Sequence, residues 1–158
     1  LIPAGFYTKQ DCAEERLKME NKISFQYDVD GKDFTRAGEA SSDMKNKLKT
    51  MNLDPAVVRR VAIAMYEGEI NMVIHADGGT IDVDLYPEHL MLTLKDQGPG
   101  IPDIDKAMQE GYSTAPDEIV SLGFGAGMGL PNMKRASDEM QIDSVLGVGT
   151  TVTMRINY

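Results

Sequence analysis

Glu67-Gly-Glu-Ile-Asn71 is the first of three short runs that decide the fold, and it is followed by Asp96-Gln-Gly-Pro-Gly100 and then by Gly123-Phe-Gly-Ala-Gly-Met-Gly129-Leu130. The first run places an acid and an amide one helical turn apart, the second an acid beside two glycines, and the third four glycines at alternate positions. Each run alone is a weak signal. In this order they predict a nucleotide pocket: the first supplies metal-binding and proton-accepting groups, the second reads a base, and the third wraps phosphates.

The composition is that of an ordinary globular protein with an acidic charge balance. The chain has 158 residues, 42% hydrophobic and 26% charged, which suffices for one well-buried domain. A formal charge of −9 and a pI near 4.6 argue against nucleic acid or anionic membrane as partners. No apolar run approaches the roughly 18 residues of a membrane span. The single cysteine, Cys12, cannot form an internal disulfide, which favours a cytoplasmic protein.

The apolar pattern predicts strands at residues 23–29, 80–85, 89–95, 141–144 and 150–157. Helices are predicted at 38–51, from Asp54 to about residue 76, and at about 130–139. Asp54 and Pro55 suit the N-cap and first helical position of the second helix, and Gly78-Gly79 ends it. Strands that pair as hairpins, with helices inserted between them, indicate an α+β two-layer sandwich. Its sheet is expected to be mixed and mostly antiparallel, with helices on one face.

The second predicted helix is apolar on most sides and must be buried, yet one of its faces is polar. Glu67, Asn71 and His75 are spaced i, i+4, i+8 and share that face. Asn71 can offer its carbonyl oxygen to Mg²⁺, and Glu67 can accept a proton from an attacking hydroxyl or water. For the triplet alone, a polar seam bonded to neighbouring backbone is the favoured alternative. We expect His75 to face the helix dipole and Glu69 to be solvated.

Asp96 follows a strand and precedes Gly98-Pro-Gly100, where the chain turns sharply and backbone can approach a ligand. A carboxylate there can accept a hydrogen bond from the exocyclic amino group of adenine. A simple turn is the alternative for this run on its own.

Gly123, Gly125, Gly127 and Gly129 lead into a helix, and backbone amides at a helix N-terminus bind phosphate. No P-loop motif is present. Met128 or Leu130 occupies the position of the third glycine of a Rossmann fingerprint, so that site is not expected either. A flexible linker is the alternative, and the following Leu-Pro-Asn helix start argues against it. Residues 101–128 have little periodicity, which is typical of a functional or mobile segment.

Taken together, the three motifs resemble the ATP-binding fold shared by gyrase, histidine kinases and bacterial anti-sigma-factor serine kinases, the GHKL superfamily. The resemblance covers residues 23–158 and leaves 1–22 as an N-terminal extension or linker. Gly111-Tyr-Ser-Thr114, the run from Gly123 to Asn132, and Gly147-Val-Gly-Thr150 are similar to the switch kinases of the general stress response. The resemblance therefore implies a Bergerat-type fold and the anti-sigma-factor kinase branch.

That resemblance also implies roles for individual residues. Glu67 would be the general base, Asn71 the Mg²⁺ ligand and Asp96 the residue that recognises adenine. Residues 103–127 would form a lid over the phosphates. The remaining nucleotide-binding positions would be Gly98, Gly100, Ile101, Gly123, Gly125, Gly127, Met128, Gly129, Leu130 and Thr150.

The function implied is an ATP- and Mg²⁺-dependent serine/threonine kinase that phosphorylates a small regulatory protein of the anti-anti-sigma type. A sigma factor is an alternative partner, and a homodimer is compatible with the resemblance. Two other functions stay open: a nucleotide-gated binding switch without phosphoryl transfer, and the ATP domain of a larger two-component histidine kinase. Retention of Glu67 favours catalysis, because a pure switch needs no base.

Overall fold

A computed structural model describes residues 21–123 and 125–158. The predicted extension, residues 1–22, lies outside the described residues except for its last two positions. Described strands are β1 (Ile23–Asp30), β2 (Gly78–Leu85), β3 (His89–Asp96), β4 (Glu139–Val145) and β5 (Gly149–Asn157). Described α-helices are α1 (Glu39–Thr50), α2 (Pro55–His75), α3 (Ile104–Ala107), α4 (Asp117–Ser121) and α5 (Gly129–Ala136). A 3-10 turn at Phe34–Arg36 precedes α1.

The five strands form one sheet in the order β1-β2-β3-β5-β4. All four pairings are antiparallel, so the described sheet is antiparallel throughout rather than mixed. The difference arises because β5 returns beside β3 and no helical crossover places two parallel strands next to each other. The predicted α+β two-layer sandwich is otherwise confirmed.

One face of the sheet is apolar because side chains alternate along each strand. Ile81 lies opposite Leu94, and Leu92 lies opposite Met154, all of them buried. The helices α1, α2 and α5 cover this face, with α2 packed between the other two. Since α2 is covered by helices and sheet, its largely apolar sequence is explained by burial. No described helix is long and apolar enough to cross a membrane.

The start of α2 follows the sequence signals closely. Asp54 is the N-cap, its side chain accepts a hydrogen bond from the Ala56 amide at 2.7 Å, and Pro55 is the first helical residue. The helix ends at His75, and the glycines at 78 and 79 belong to β2 instead of forming a separate stop.

Two other boundaries differ from expectation. The helix predicted at 130–139 ends at Ala136, because Ser137 is extended and the Asp138 amide donates to the Arg155 carbonyl of β5. Glu139 therefore begins β4. The irregular stretch 101–128 contains the two short helices α3 and α4, neither of which has a buried residue.

Glu69 was expected to be solvated, and this expectation is wrong. Its side chain is on α2, and the residue is only 2% exposed. Its carboxylate accepts hydrogen bonds from the backbone amides of Gly38 (2.9 Å), Ala40 (3.2 Å) and Ser41 (3.1 Å). These are amides at the start of α1 that would otherwise lack partners, and a negative charge there also favours the helix dipole. Glu69 thereby attaches α1 to α2.

Candidate functional site

A cavity of about 570 Å³ lies between α2, the segment 99–114, the glycine run and the ends of β3 and β5. It collects the predicted residues from all three motifs. The predicted site residues on its wall are Glu67, Asn71, Asp96, Gly100, Ile101, Gly123, Gly125, Gly127, Met128, Gly129, Leu130 and Thr150. Gly98 does not line the cavity. Its backbone amide donates a hydrogen bond to Asp96 Oδ1. A Cβ at position 98 would lie 2.7 Å from the Cβ of Ala76, so there is no room for a side chain.

Glu67 is half-buried on α2, with its carboxylate directed toward the start of α5. Its Oε1 accepts a hydrogen bond from Asn132 Nδ2 at 2.8 Å. Its Oε2 accepts no hydrogen bond from the described residues. One oxygen is therefore held by the protein while the other is available to a ligand.

Asn71 lies one turn further along α2, and it faces Gly129, where the glycine run ends and α5 begins. A Cβ built on Gly129 would lie 3.2 Å from both Asn71 Nδ2 and Oδ1, and 3.4 Å from Glu67 Oε2. The described contact of the Asn71 amide is its Nδ2 near Met133 Sδ at 4.0 Å, which leaves Oδ1 without a partner among the described residues. A side chain at position 129 would make a tight contact with both polar groups, so glycine suits this close approach of the backbone.

Asp96 ends β3 and lies on the cavity wall near the turn between β4 and β5. Its Oδ1 accepts hydrogen bonds from the backbone amides of Gly98 (2.9 Å) and Thr150 (3.2 Å). These two bonds fix the carboxylate orientation. Its Oδ2 has no hydrogen-bond partner in the described part of the chain, so it can accept from a base.

A pair of hydroxyl groups lies next to Asp96: Thr150 was among the expected nucleotide-binding residues, whereas its partner Ser144 was not predicted from the sequence. Ser144 Oγ and Thr150 Oγ1 are 2.9 Å apart, and Ser144 Oγ also accepts the amide of Ile101 at 2.8 Å. These bonds connect the Asp96 loop to the last two strands. The signal available was the placement of a serine at an inward position of β4, which only the strand register reveals.

The glycine run lies across the segment 111–115. Gly111 donates its amide to the Gly127 carbonyl at 2.9 Å. At Gly127 the φ angle is +76°, and a Cβ would lie 2.5 Å from the carbonyl carbon of Gly111. Both the left-handed backbone and this close approach require glycine. The run is thus held along one wall of the cavity by backbone contacts.

The charged side chains on the cavity wall are Glu67, Asp96, Asp103 and Lys106. Lys106 Nζ stands 5.0 Å from the Tyr112 ring centroid and forms no ion pair within the described residues. An ammonium group over an aromatic face is attracted by the ring but remains available to an anion. Lys106 is therefore the side chain best placed to bind phosphates through a positive charge. The sequence places Lys106 in the expected lid segment but does not predict this role.

His75 ends α2, as expected, and also lies on the cavity wall. The residue as a whole is exposed, but part of its ring is shielded from water by the surrounding protein. Loss of water around the ring lowers the His75 pKa from its ordinary value, and the Asp96 charge partly offsets this effect. Its imidazole is thereby favoured as a neutral group beside the Asp96 end of the cavity.

The donor set fits a hydrated magnesium ion better than a transition metal. The described residues contain no group of three histidine, cysteine, aspartate or glutamate side chains that could hold a metal by itself. Magnesium is commonly bound by one or two protein oxygens, with water and substrate phosphates as its other ligands. The free Oδ1 of Asn71 beside the glycine run suits such a site, with water and phosphates as the other ligands.

Known proteins resemble this chain in sequence and in fold. The family model for histidine kinase-, DNA gyrase B-, and HSP90-like ATPases matches residues 56–158. The serine/threonine-protein kinase RsbT of Bacillus subtilis is 34% identical over 112 residues, which cover 68% of this chain and 78% of RsbT. An anti-sigma F factor of Clostridium acetobutylicum is 30% identical over 149 residues, which cover 89% of this chain and 96% of that protein.

A similar fold also occurs in the solved structure of the SiaB–SiaC complex from Pseudomonas aeruginosa. The TM-score is 0.58, and the match covers 92% of this chain and 95% of the other. At 13% sequence identity this likeness concerns the fold alone.

Proposed function

The chain belongs to the family of histidine kinase-, DNA gyrase B-, and HSP90-like ATPases, and from this premise we propose that it is an ATP-dependent serine/threonine protein kinase of the anti-sigma-factor type. The observation that carries the proposal is the meeting of three groups in one cavity. A carboxylate with a free oxygen, Glu67, and an amide with a free oxygen, Asn71, adjoin a glycine run that approaches them at Gly129.

In the proposed complex, the adenine lies at the Asp96 end of the cavity. Asp96 Oδ2 accepts from the exocyclic amino group, while Oδ1 stays bonded to the Gly98 and Thr150 amides. A buried hydrogen bond of this kind discriminates strongly against a base that presents a carbonyl instead. Ile101, on the same wall, supplies apolar contact for the ring.

The phosphates lie along the glycine run. Backbone amides of Gly123 and of residues 125–130, at the start of α5, donate to phosphate oxygens, and the Lys106 ammonium adds a positive charge. Asn71 Oδ1 would hold Mg²⁺, which would neutralise part of the phosphate charge when bound.

Glu67 is the proposed base. As a serine or threonine hydroxyl of the protein substrate attacks the γ-phosphorus, Glu67 Oε2 takes the hydroxyl proton. The new O–P bond forms, the bond between the γ-phosphorus and the β,γ-bridging oxygen breaks, and ADP leaves with that oxygen. The hydrogen bond from Asn132 keeps Oε1 occupied, so that Oε2 is the oxygen that accepts the proton.

We propose a small regulatory protein as the substrate. RsbT is named a serine/threonine-protein kinase, and several relatives are named anti-sigma F factors. The SiaB fold is found in a complex with SiaC. These names support a regulatory protein partner by analogy with the relatives.

Phosphoryl transfer tests this proposal. The chain is incubated with Mg²⁺, ATP labelled at the γ-phosphate, and purified candidate regulators encoded beside its gene. We expect label on one serine or threonine of one regulator and none when that residue is replaced by alanine. Glu67→Gln should reduce the rate by roughly a hundredfold or more while ATP still binds. If ATP changes regulator binding but no label is transferred by the unaltered chain, the protein is a nucleotide-gated switch and the kinase proposal fails.

A further inference from the structure

Four side chains form a continuous chain of polar contacts from the cavity to the surface. Asn132 Nδ2 donates to Glu67 Oε1 at 2.8 Å, and Arg135 Nη2 donates to Asn132 Oδ1 at 2.7 Å. Arg135 Nη1 then pairs with Glu110 Oε1. These contacts connect α2 and α5 to Glu110, the residue before Gly111, and Gly111 in turn binds the glycine run at Gly127.

Of these four side chains, only that of Glu67 lines the cavity. Asn132, Arg135 and Glu110 are absent from the wall formed by the described residues, so none of them would touch a nucleotide there. Any influence they have on the reaction must pass through Glu67 or through the backbone. This separates them from the residues that the proposed function already uses.

The contact between Arg135 and Asn132 fixes which end of the amide faces Glu67. A guanidinium is only a donor, so Asn132 must turn its oxygen toward Arg135 and its NH₂ toward the carboxylate. The opposite orientation would place an amide oxygen against a carboxylate oxygen and two NH groups against each other. The Glu67 carboxylate, which only accepts, favours the same orientation, and Arg135 holds the amide in it by binding the Asn132 oxygen.

Glu110 connects this contact to the glycine run. It pairs with Arg135 and precedes Gly111, whose amide donates to the Gly127 carbonyl at 2.9 Å. The Arg135 and Glu110 side chains are 54% and 62% exposed. Exposed ion pairs add little to folding stability, so breaking this pair should leave the fold intact.

We propose that Asn132 is the positioning residue of Glu67 and that the Arg135–Glu110 pair holds the Asn132 amide in the direction that Glu67 needs. Glu67 then keeps Oε2 free and directed toward the glycine run only while the segment beside Gly111 is in place. The catalytic part of this inference rests on the kinase function proposed above. The positioning itself is a property of the chain without nucleotide.

The kinetic test compares Asn132→Ala, Arg135→Gln and Glu110→Gln with Lys134→Gln, an exposed neighbour on α5 outside the contacts. Because none of these residues lines the cavity, the Kd for ATP should change less than about twofold. A misplaced reacting group can cost up to about a hundredfold, and we expect a roughly tenfold or larger fall in the single-turnover transfer rate for Asn132→Ala. Arg135→Gln should cost less, and Arg135→Lys should restore most of the rate. Unchanged rates in Asn132→Ala and Arg135→Gln would overturn the proposal.

A second readout needs no activity. Relaxation of the Asn132 side-chain amide by NMR should report a rigid group in the unaltered chain and a mobile one in Arg135→Gln, with no change in Lys134→Gln. If the unaltered chain transfers no phosphate, the kinase function fails, and this measurement decides the positioning alone. An amide that is mobile in the unaltered chain, or equally rigid after Arg135→Gln, would overturn it.

Discussion

Gly129 lies against Asn71, so closely that a Cβ on the glycine would stand 3.2 Å from both polar atoms of the amide. The same Cβ would be 3.4 Å from Glu67 Oε2. The end of the glycine run and the polar face of α2 therefore define one small space, bounded by backbone on one side and two oxygens on the other. The proposed function places the γ-phosphate and the metal next to this contact.

A methyl group at this point should obstruct the ligand more than the fold. Gly129 is the first residue of α5 and needs no left-handed backbone, and alanine is the better helix former. We expect Gly129→Ala to melt within a few degrees of the unaltered chain and to bind Mg²⁺-ATP roughly tenfold or more weakly. Calorimetric titration checks the affinity. Binding that is unchanged with an intact fold would contradict the close contact.

Base selection should depend on Asp96. Its free Oδ2 can accept from the amino group of adenine, whereas guanine presents a carbonyl at the corresponding position. We expect GTP to bind roughly a hundredfold or more weakly than ATP, and Asp96→Asn to lose most of the ATP affinity. Titrations with both nucleotides, supported by melting curves of the variant, measure this. Equal affinities for ATP and GTP would remove Asp96 from base recognition.

Lys106 should contribute to binding in proportion to the charge of the ligand. Its ammonium is unpaired among the described residues and shares the cavity wall with three carboxylates. We expect Lys106→Gln to weaken ATP binding by about tenfold, since charge-assisted contacts to phosphate are among the stronger ones, and to leave adenosine binding unchanged. Lys106→Arg should retain affinity, and Lys134→Gln is the control for an equal loss of charge away from the cavity. A similar loss for ATP and adenosine would indicate a structural role instead.

Glu69 should matter to stability without touching the ligand. Its carboxylate satisfies three amides at the start of α1 in a buried position. Hydrogen bonds to charged groups are worth more than neutral ones, and buried amides left unpaired are costly. We expect Glu69→Ala to lower the free energy of unfolding by about 3 kcal/mol.

Glu39→Ala is the matched control, because it removes an acid from the first turn of α1 whose ion pair with Arg36 is exposed. We expect that change to cost under about 1 kcal/mol. Denaturant titration of both variants measures the difference. Equal effects would show that the burial of Glu69 adds nothing.

Much of the site could be predicted because its groups are close in sequence or fixed by helical spacing. Glu67 and Asn71 share a face of α2 because the helix repeats every 3.6 residues. Asp54 and Pro55 correctly predicted where that helix begins. The glycine run required no tertiary information, since its backbone freedom is a property of the residues themselves.

The remaining residues depend on partners distant in sequence. Asn132 meets Glu67 across 65 positions, and Glu69 meets the start of α1 across about thirty. A charged residue beside a polar helical face was expected to reach solvent, and only the packing of α1 against α2 gives Glu69 its buried partners. Ser144 was missed for a similar reason, because its contact with Thr150 depends on the register of β4 and β5.

The central claim is that the metal and phosphates of ATP bind beside Asn71 and the end of the glycine run, and Mn²⁺-ATP tests it most directly. Bound Mn²⁺ broadens the NMR signals of nearby groups. We expect the Asn71 side-chain amide and the Gly129 backbone amide to broaden first. Glu88, in the turn at the opposite end of β3, should be unaffected, and Asn71→Ala should weaken the effect at Gly129. Strong broadening elsewhere, with Asn71 and Gly129 unchanged, would contradict the account.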